Sequence, residues 1–213
     1  MNRHNTHIWY ASYGSNILED RFHCYIRGGK PKGSNTTYCG CNDKTLPIDN
    51  EDLYIPSELY FAKKSIKSWN GGGVGFIANK FGNERTLGRM YLITKEQFID
   101  VIKQECDIVQ DIKLDFELIV NQGSFVLQET KWYNKIIYLS DQAGHPIFTF
   151  THDGDYFDEI NKPDKNYLKL IMDGLKEITN FNEYDIADYF ENLKGVSGKY
   201  SNEELRKLAL EEK

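Results

Sequence analysis

The chain has 213 residues, 40% of them apolar and 14% aromatic, and its 26 basic and 32 acidic side chains leave a net charge of −6. This aromatic content supplies large units of buried surface and excludes disorder over most of the chain. The acidic balance, without a basic block, argues against binding to nucleic-acid backbones or anionic membranes. No uncharged run reaches the length of about 18 residues that a transmembrane helix needs. Residues 1–16 lack the apolar run of a signal peptide, so a cytoplasmic location is expected.

A first strand is predicted over His7–Ser12, where Ile8, Tyr10 and Ser12 alternate against Trp9 and Ala11. Tyr13-Gly14-Ser15-Asn16 then turns the chain into a helix expected over 17–25. Gly14 permits the turn, and Asn16 is placed to cap that helix with Glu19 at its third helical position. The backbone N–H groups of Gly14, Ser15 and Asn16 would then point, unpaired, from a helix amino terminus. Such a nest can hold a carboxylate or a developing oxyanion. The same four residues also suit an ordinary strand–turn–helix corner. Ser15 has no His/Asp partner order that would make it a hydrolase nucleophile.

Cys24, Cys39, Cys41 and Cys106 form no evenly spaced framework. A zinc site built on Cys39 and Cys41 with His23 or Cys24 lacks a second coordinating pair, so no metal is expected and the thiols read as reduced and mostly packed. Cys24 reads as a packing residue rather than a nucleophile.

Short strands are predicted next over 59–63, 74–79, 86–93, 114–120, 136–139 and 146–151, rich in β-branched and aromatic residues and flanked by Gly, Asn and Asp. The run Trp69-Asn70-Gly71-Gly72-Gly73 serves as a flexible turn or as a pocket rim that admits close backbone approach. No G-K-[S/T] follows it, so it is no P-loop, and no cofactor is expected. His145 and His152 flank the last strand near Asp153 and Asp155 and read as strand-end polar residues.

Between these strands Thr94 and Gln97 make a T-x-x-Q capping box that starts a helix over 95–105. Phe98, Val101 and Ile102 share one face, and Glu105 falls seven residues after Phe98 on the same face. Burial there, without a cation, would raise its pKa and suit it to proton transfer near neutrality. At the helix end the side chain can also bend out to water. Glu96, Lys103 and Gln104 lie off the stripe and read as a solvated face.

After Pro163 the apolar period becomes helical. Tyr167, Leu168, Ile171 and Leu175 form a stripe, and further helices are predicted over 183–193 and 201–210, the last opened by a Ser201/Glu204 capping box. Many strands followed by helices is an α+β pattern. One domain spanning 1–213 is expected, with a helical part at 164–213.

Trp9-Tyr10-Ala11-Ser12-Tyr13-Gly14-Ser15-Asn16, with Arg21 downstream, resembles the opening of the gamma-glutamylcyclotransferase superfamily. Gly88-Arg89-Met90-Tyr91-Leu92 and the helix reaching Glu105 resemble its G-x-x-Y strand and the helix that ends in its catalytic glutamate. Pro163, Tyr167 and Gly174 fit its late P-x₃-Y-x₆-G helix, so the resemblance runs from residue 9 to about 190. It implies a compact mixed β-barrel with helices outside. It also implies a small-molecule substrate, a gamma-glutamyl peptide or gamma-glutamylamine, held at Tyr13, Gly14, Ser15 and Asn16 through backbone N–H groups. Glu105 would serve as general acid/base while the α-amine attacks the γ-carbonyl, releasing an amine and 5-oxoproline in a C–N bond-cleaving, lyase-type acyl transfer. Tyr167 would line the pocket and hydrogen-bond the substrate. Two features depart from the family. Cys106 stands where a glycine often follows the glutamate, and extra length at 30–56 and from 183 onward is placed to reshape or cover the pocket. The alternative is a non-catalytic member of the fold that binds a small ligand or a protein. Such a protein has no need of a carboxylate on an apolar helix face.

Overall fold

A computed structural model of the chain describes residues 6–31, 36–128, 130 and 132–211. The strands are β1 (His7–Ser12), β2 (Asn50–Ile55), β3 (Leu59–Ser65), β4 (Gly72–Ile77), β5 (Thr86–Thr94), β6 (Ser124–Val126), β7 (Lys135–Gln142) and β8 (His145–Thr151). The helices are α1 (Glu19–Arg27), α2 (Ile66–Trp69), α3 (Lys95–Cys106), α4 (Phe116–Gln122), α5 (Lys165–Ile178), α6 (Glu183–Glu191) and α7 (Asn202–Leu210), and a 3₁₀ turn covers Ser15–Ile17. A mixed sheet runs β2-β5-β1-β8-β7-β6, with β1 parallel to β8 and the other pairs antiparallel; β3 and β4 form a second, antiparallel ribbon. The architecture is α+β, as the element order predicts.

Strand β1 is central, and its side chains enter two cores. Ile8 and Tyr10 pack with Phe22, Phe98 and Val101 beneath α1 and α3. Trp9 and Ala11 face the β3/β4 ribbon and the helices after Pro163, in an apolar cluster that extends to Ala209. This is the period-two alternation of a strand covered on both faces. Side chains also join the two sheets, as Thr151 Oγ1 donates to Ile77 O at 2.7 Å.

Three local expectations change. The segment expected as a strand over 114–120 is helix α4, because Asp115 caps it by accepting from Leu118 N and Gly123 ends it at φ 79°. Phe116 and Ile119, three residues apart, supply its buried face. The helix expected over 17–25 begins later, at Glu19, with Leu18 at its N-cap and no side-chain cap. Asn16 is engaged elsewhere. The stretch 30–56 holds edge strand β2, whose mostly exposed Asn50–Ile55 pairs with β5; its residues 32–35 lie outside the described residues. Both capping boxes, at Thr94/Gln97 and Ser201/Glu204, form as read. Among the described residues no helix is long and apolar enough to cross a membrane.

Candidate active site

The loop after β1 is held from two sides. From β5, the Tyr91 hydroxyl lies 2.8 Å from Asn16 O and 3.2 Å from Ile17 O and donates into that pair of carbonyls. From α5, Gly174 abuts the loop so closely that a Cβ there would stand 2.5 Å from Leu18 N. Within the loop, Gly14 O and Ser15 O accept from Ile17 N and Leu18 N. The N–H groups of Gly14, Ser15 and Asn16 take no partner among the described residues. Gly14 has φ −108°, so a left-handed turn is not what requires glycine there. The requirement is space, since a Cβ would approach the Tyr167 hydroxyl to 3.2 Å.

These groups line a cavity of about 200 Å³ together with Tyr13, Glu105 and Tyr167. Glu105, in the last turn of α3, is half-buried and bends into this cavity rather than to bulk water. Asn16 Nδ2 donates to its Oε1 at 2.9 Å, which is the bond that occupies Asn16 in place of capping. Burial raises the Glu105 carboxyl above the ordinary glutamate range, against lowering contributions from a Tyr25 hydrogen bond, the Arg21 charge and the Asn16 bond. A cation is therefore near, contrary to the expectation from sequence, yet burial prevails.

Tyr167 opens α5, as its place in the stripe predicts. Its ring packs against Trp69, with centroids 4.9 Å apart, and its hydroxyl accepts from Gly75 N at 3.0 Å. Burial pushes that hydroxyl up to about 12, so it is a protonated donor near neutrality. Tyr13 lines the cavity by its ring and donates its hydroxyl to Phe150 O at 2.8 Å.

Several lining residues lie outside the sequence reading. Tyr25 follows Arg21 by four residues on α1, and Tyr38 comes from the 30–56 stretch. Gln104, read as solvated, donates Nε2 to Tyr25 O at 3.0 Å and reaches the cavity. Trp69 and Gly75 line it too, whereas Gly72 and Gly73 meet the chain before α5: a Cβ on either would come within 2.4 Å of Asp164 N or Asn161 O. Cys106 turns away and donates Sγ to Tyr133 O; burial pushes its thiol up to about 12, which keeps it protonated. Cys24 is half-buried and Cys41 buried, but Cys39 is exposed, and all four cysteines are free. His145 opens β8 and His152 follows its end, its ring tilted by 31° against Phe157 with centroids 3.7 Å apart.

No protein-family model matches the chain. It is similar to histone deacetylase 5 of Arabidopsis thaliana, with 31% identity over 206 aligned positions that cover 89% of this chain. It spans about a third of that curated relative, 31% of its length. Among solved structures, a gamma-glutamyl cyclotransferase superposes with a TM-score of 0.51 at 18% identity, covering 95% of this chain and 98% of that one. An uncharacterized human protein superposes with a TM-score of 0.50 at 18% identity, covering 97% and 99%. The chain has the gamma-glutamyl cyclotransferase fold.

Proposed function

We propose that the chain is a gamma-glutamylcyclotransferase-like enzyme that converts a gamma-glutamyl peptide or gamma-glutamylamine to 5-oxoproline with release of an amine. One observation carries this reading. A half-buried carboxyl of raised pKa, Glu105, shares a small cavity with three backbone N–H groups that have no partner among the described residues. In the ionised form Glu105 takes a proton from the substrate's α-ammonium, making the amine nucleophilic. The amine attacks the γ-carbonyl, and the N–H groups at 14–16 stabilise the oxyanion as it forms. The Glu105 carboxyl then gives its proton to the departing nitrogen as the original C–N bond breaks. Ring closure is intramolecular, so holding the glutamyl chain folded contributes much of the rate. Asn16 donates to Oε1, and a Tyr25 hydrogen bond to the same carboxyl helps to orient it. Tyr167 borders the substrate.

The partner in this reading is a small molecule; the net charge of −6 disfavours nucleic acid and anionic membrane. The apolar cluster that includes both Trp9 and Ala209 supports reading 1–213 as one domain. The test incubates wild type and Glu105→Gln with a panel of gamma-glutamyl dipeptides and amines and measures 5-oxoproline. Wild type should cyclise at least one compound, and Glu105→Gln should be slower by at least about two orders of magnitude. A variant as active as wild type removes Glu105 from the mechanism. A wild type inert across the panel favours a non-catalytic ligand-binding protein.

A further inference from the structure

Arg21 is a buried cation with no ion pair among the described residues, although its charge reaches the Glu105 carboxyl in the same cavity. Its side chain, 3% exposed, lines the cavity. Nε donates to Ser15 Oγ at 2.9 Å and Nη2 to the Tyr38 hydroxyl at 2.7 Å, while Nη1 has no partner among the described residues. The guanidinium carbon lies 5.2 Å from the Trp69 ring centre and 5.4 Å from that of Tyr38. Among the described residues no carboxylate pairs with it. A buried guanidinium stays charged, and Glu105, which makes no ion pair with it and whose carboxyl burial pushes toward the neutral form, leaves much of that charge uncompensated. The three free N–H groups of the loop stand beside it, and all of these donors favour a negative group in the cavity.

We propose that Arg21 is the anchor for the substrate's α-carboxylate and so sets the pose of the glutamyl group in the cavity. This rests on the cyclotransferase reading, which places the α-amine at Glu105. The α-carboxylate and the α-amine hang from one carbon, so their partners must flank a single point. Arg21 and Glu105 do so: they hydrogen-bond consecutive residues, Ser15 and Asn16. A carboxylate on the leaving amine lies on the far side of the γ-carbonyl and does not meet this condition. Held by the Nη1 donor, the α-carboxylate fixes rotation about the α-carbon and aims the amine at the γ-carbonyl.

The test measures binding of 5-oxoproline and of its carboxamide, which differ in one charge, to the full chain by calorimetry. Wild type should bind the acid about 10- to 100-fold more tightly, the range for hydrogen bonds to a charged group. Arg21→Gln should bring that ratio close to one, and Arg21→Lys should retain part of it. A cavity merely loosened by substitution weakens both probes alike and leaves the ratio standing, which would overturn the proposal. So would a wild type that binds both probes equally or neither. Turnover of gamma-glutamylmethylamide and gamma-glutamylglycine separates the two carboxylates. An Arg21→Gln defect confined to the glycine compound would assign Arg21 to the leaving group and refute the α-carboxylate. Cyclisation with an unmoved acid-to-amide ratio sinks the anchor alone; an Arg21-dependent ratio without cyclisation of any compound sinks the reaction alone.

Discussion

Tyr91→Phe tests whether the loop geometry, rather than the loop sequence, performs the chemistry. The ring is fully buried and stacks on Phe22 at 4.1 Å, so phenylalanine keeps the packing. What is lost is the hydroxyl that donates into Asn16 O and Ile17 O. A buried acceptor stripped of its donor costs about 1–3 kcal/mol. At about 2–4 °C per kcal/mol for a chain of this length, Tm should fall by roughly 2–12 °C. The carbonyls of Asn16 and Ile17 lie in the same short turn as the three free N–H groups, so releasing them shifts those donors. A misplacement of about 1 Å is worth about 100-fold in rate. Circular-dichroism melting and kcat/KM on the best gamma-glutamyl substrate should therefore both drop. The control is Tyr189→Phe, which frees Leu87 N, bonded at 3.0 Å, outside the cavity. That variant should lose Tm and keep kcat/KM. If the two variants lose Tm alike and neither loses kcat/KM, the loop does not depend on Tyr91 for its catalytic geometry.

Two further substitutions probe the site directly. Burial holds the folded pKa of Glu105 above its unfolded value, so its contribution to stability is present below the ordinary glutamate value, about 4.3, and is lost as pH rises through the raised one. Glu105→Gln should gain Tm relative to wild type from pH 4 to pH 8, and a difference that is flat or shrinks over that range contradicts the burial argument. Tyr167→Phe retains the contact with Trp69 but strands the Gly75 N–H, costing about 1–3 kcal/mol, and it should also raise KM or lower kcat. Lost Tm with unchanged kinetics makes Tyr167 a packing residue.

The features legible in the sequence are those completed locally. Thr94 with Gln97, and Ser201 with Glu204, close their bonds within one helical turn, and β1 alternates because both of its faces meet apolar layers. The 114–120 segment misleads because Leu114, Phe116, Leu118 and Val120 alternate like a strand. The Asp115 cap and the Phe116/Ile119 pair decide for a helix. Asn16 has the right chemistry for a cap, but Glu105, 89 residues away, claims its amide, and no local pattern records that. Gln104 is polar and off the apolar stripe, which reads as solvent until the cavity beneath Tyr25 is known. Tyr38 is hidden for a different reason: it belongs to a stretch that looks like added length, and its importance lies in the distant Arg21 bond.

The P-x₃-Y-x₆-G spacing acquires a physical meaning from the loop it grips. Tyr167 and Gly174 are seven residues apart on α5, about two turns and about 10 Å along one face. The first sets its hydroxyl against the backbones of Gly14 and Gly75, where a Cβ would come to 3.2 and 3.3 Å. The second presses on Ile17 and Leu18. One helix face therefore clamps both ends of residues 14–18, while Tyr91 holds the carbonyls between them. With its carbonyls committed and its flanks pinned, the loop has its N–H groups of 14–16 left over for a ligand. This clamp is made wholly of core elements, β4, β5 and α5. The cover of Arg21 is not, because Tyr38 arrives from the stretch before β2. Changes in that stretch alter what surrounds the guanidinium without moving the clamp, so under the proposed reaction they should shift substrate preference more than the rate of ring closure.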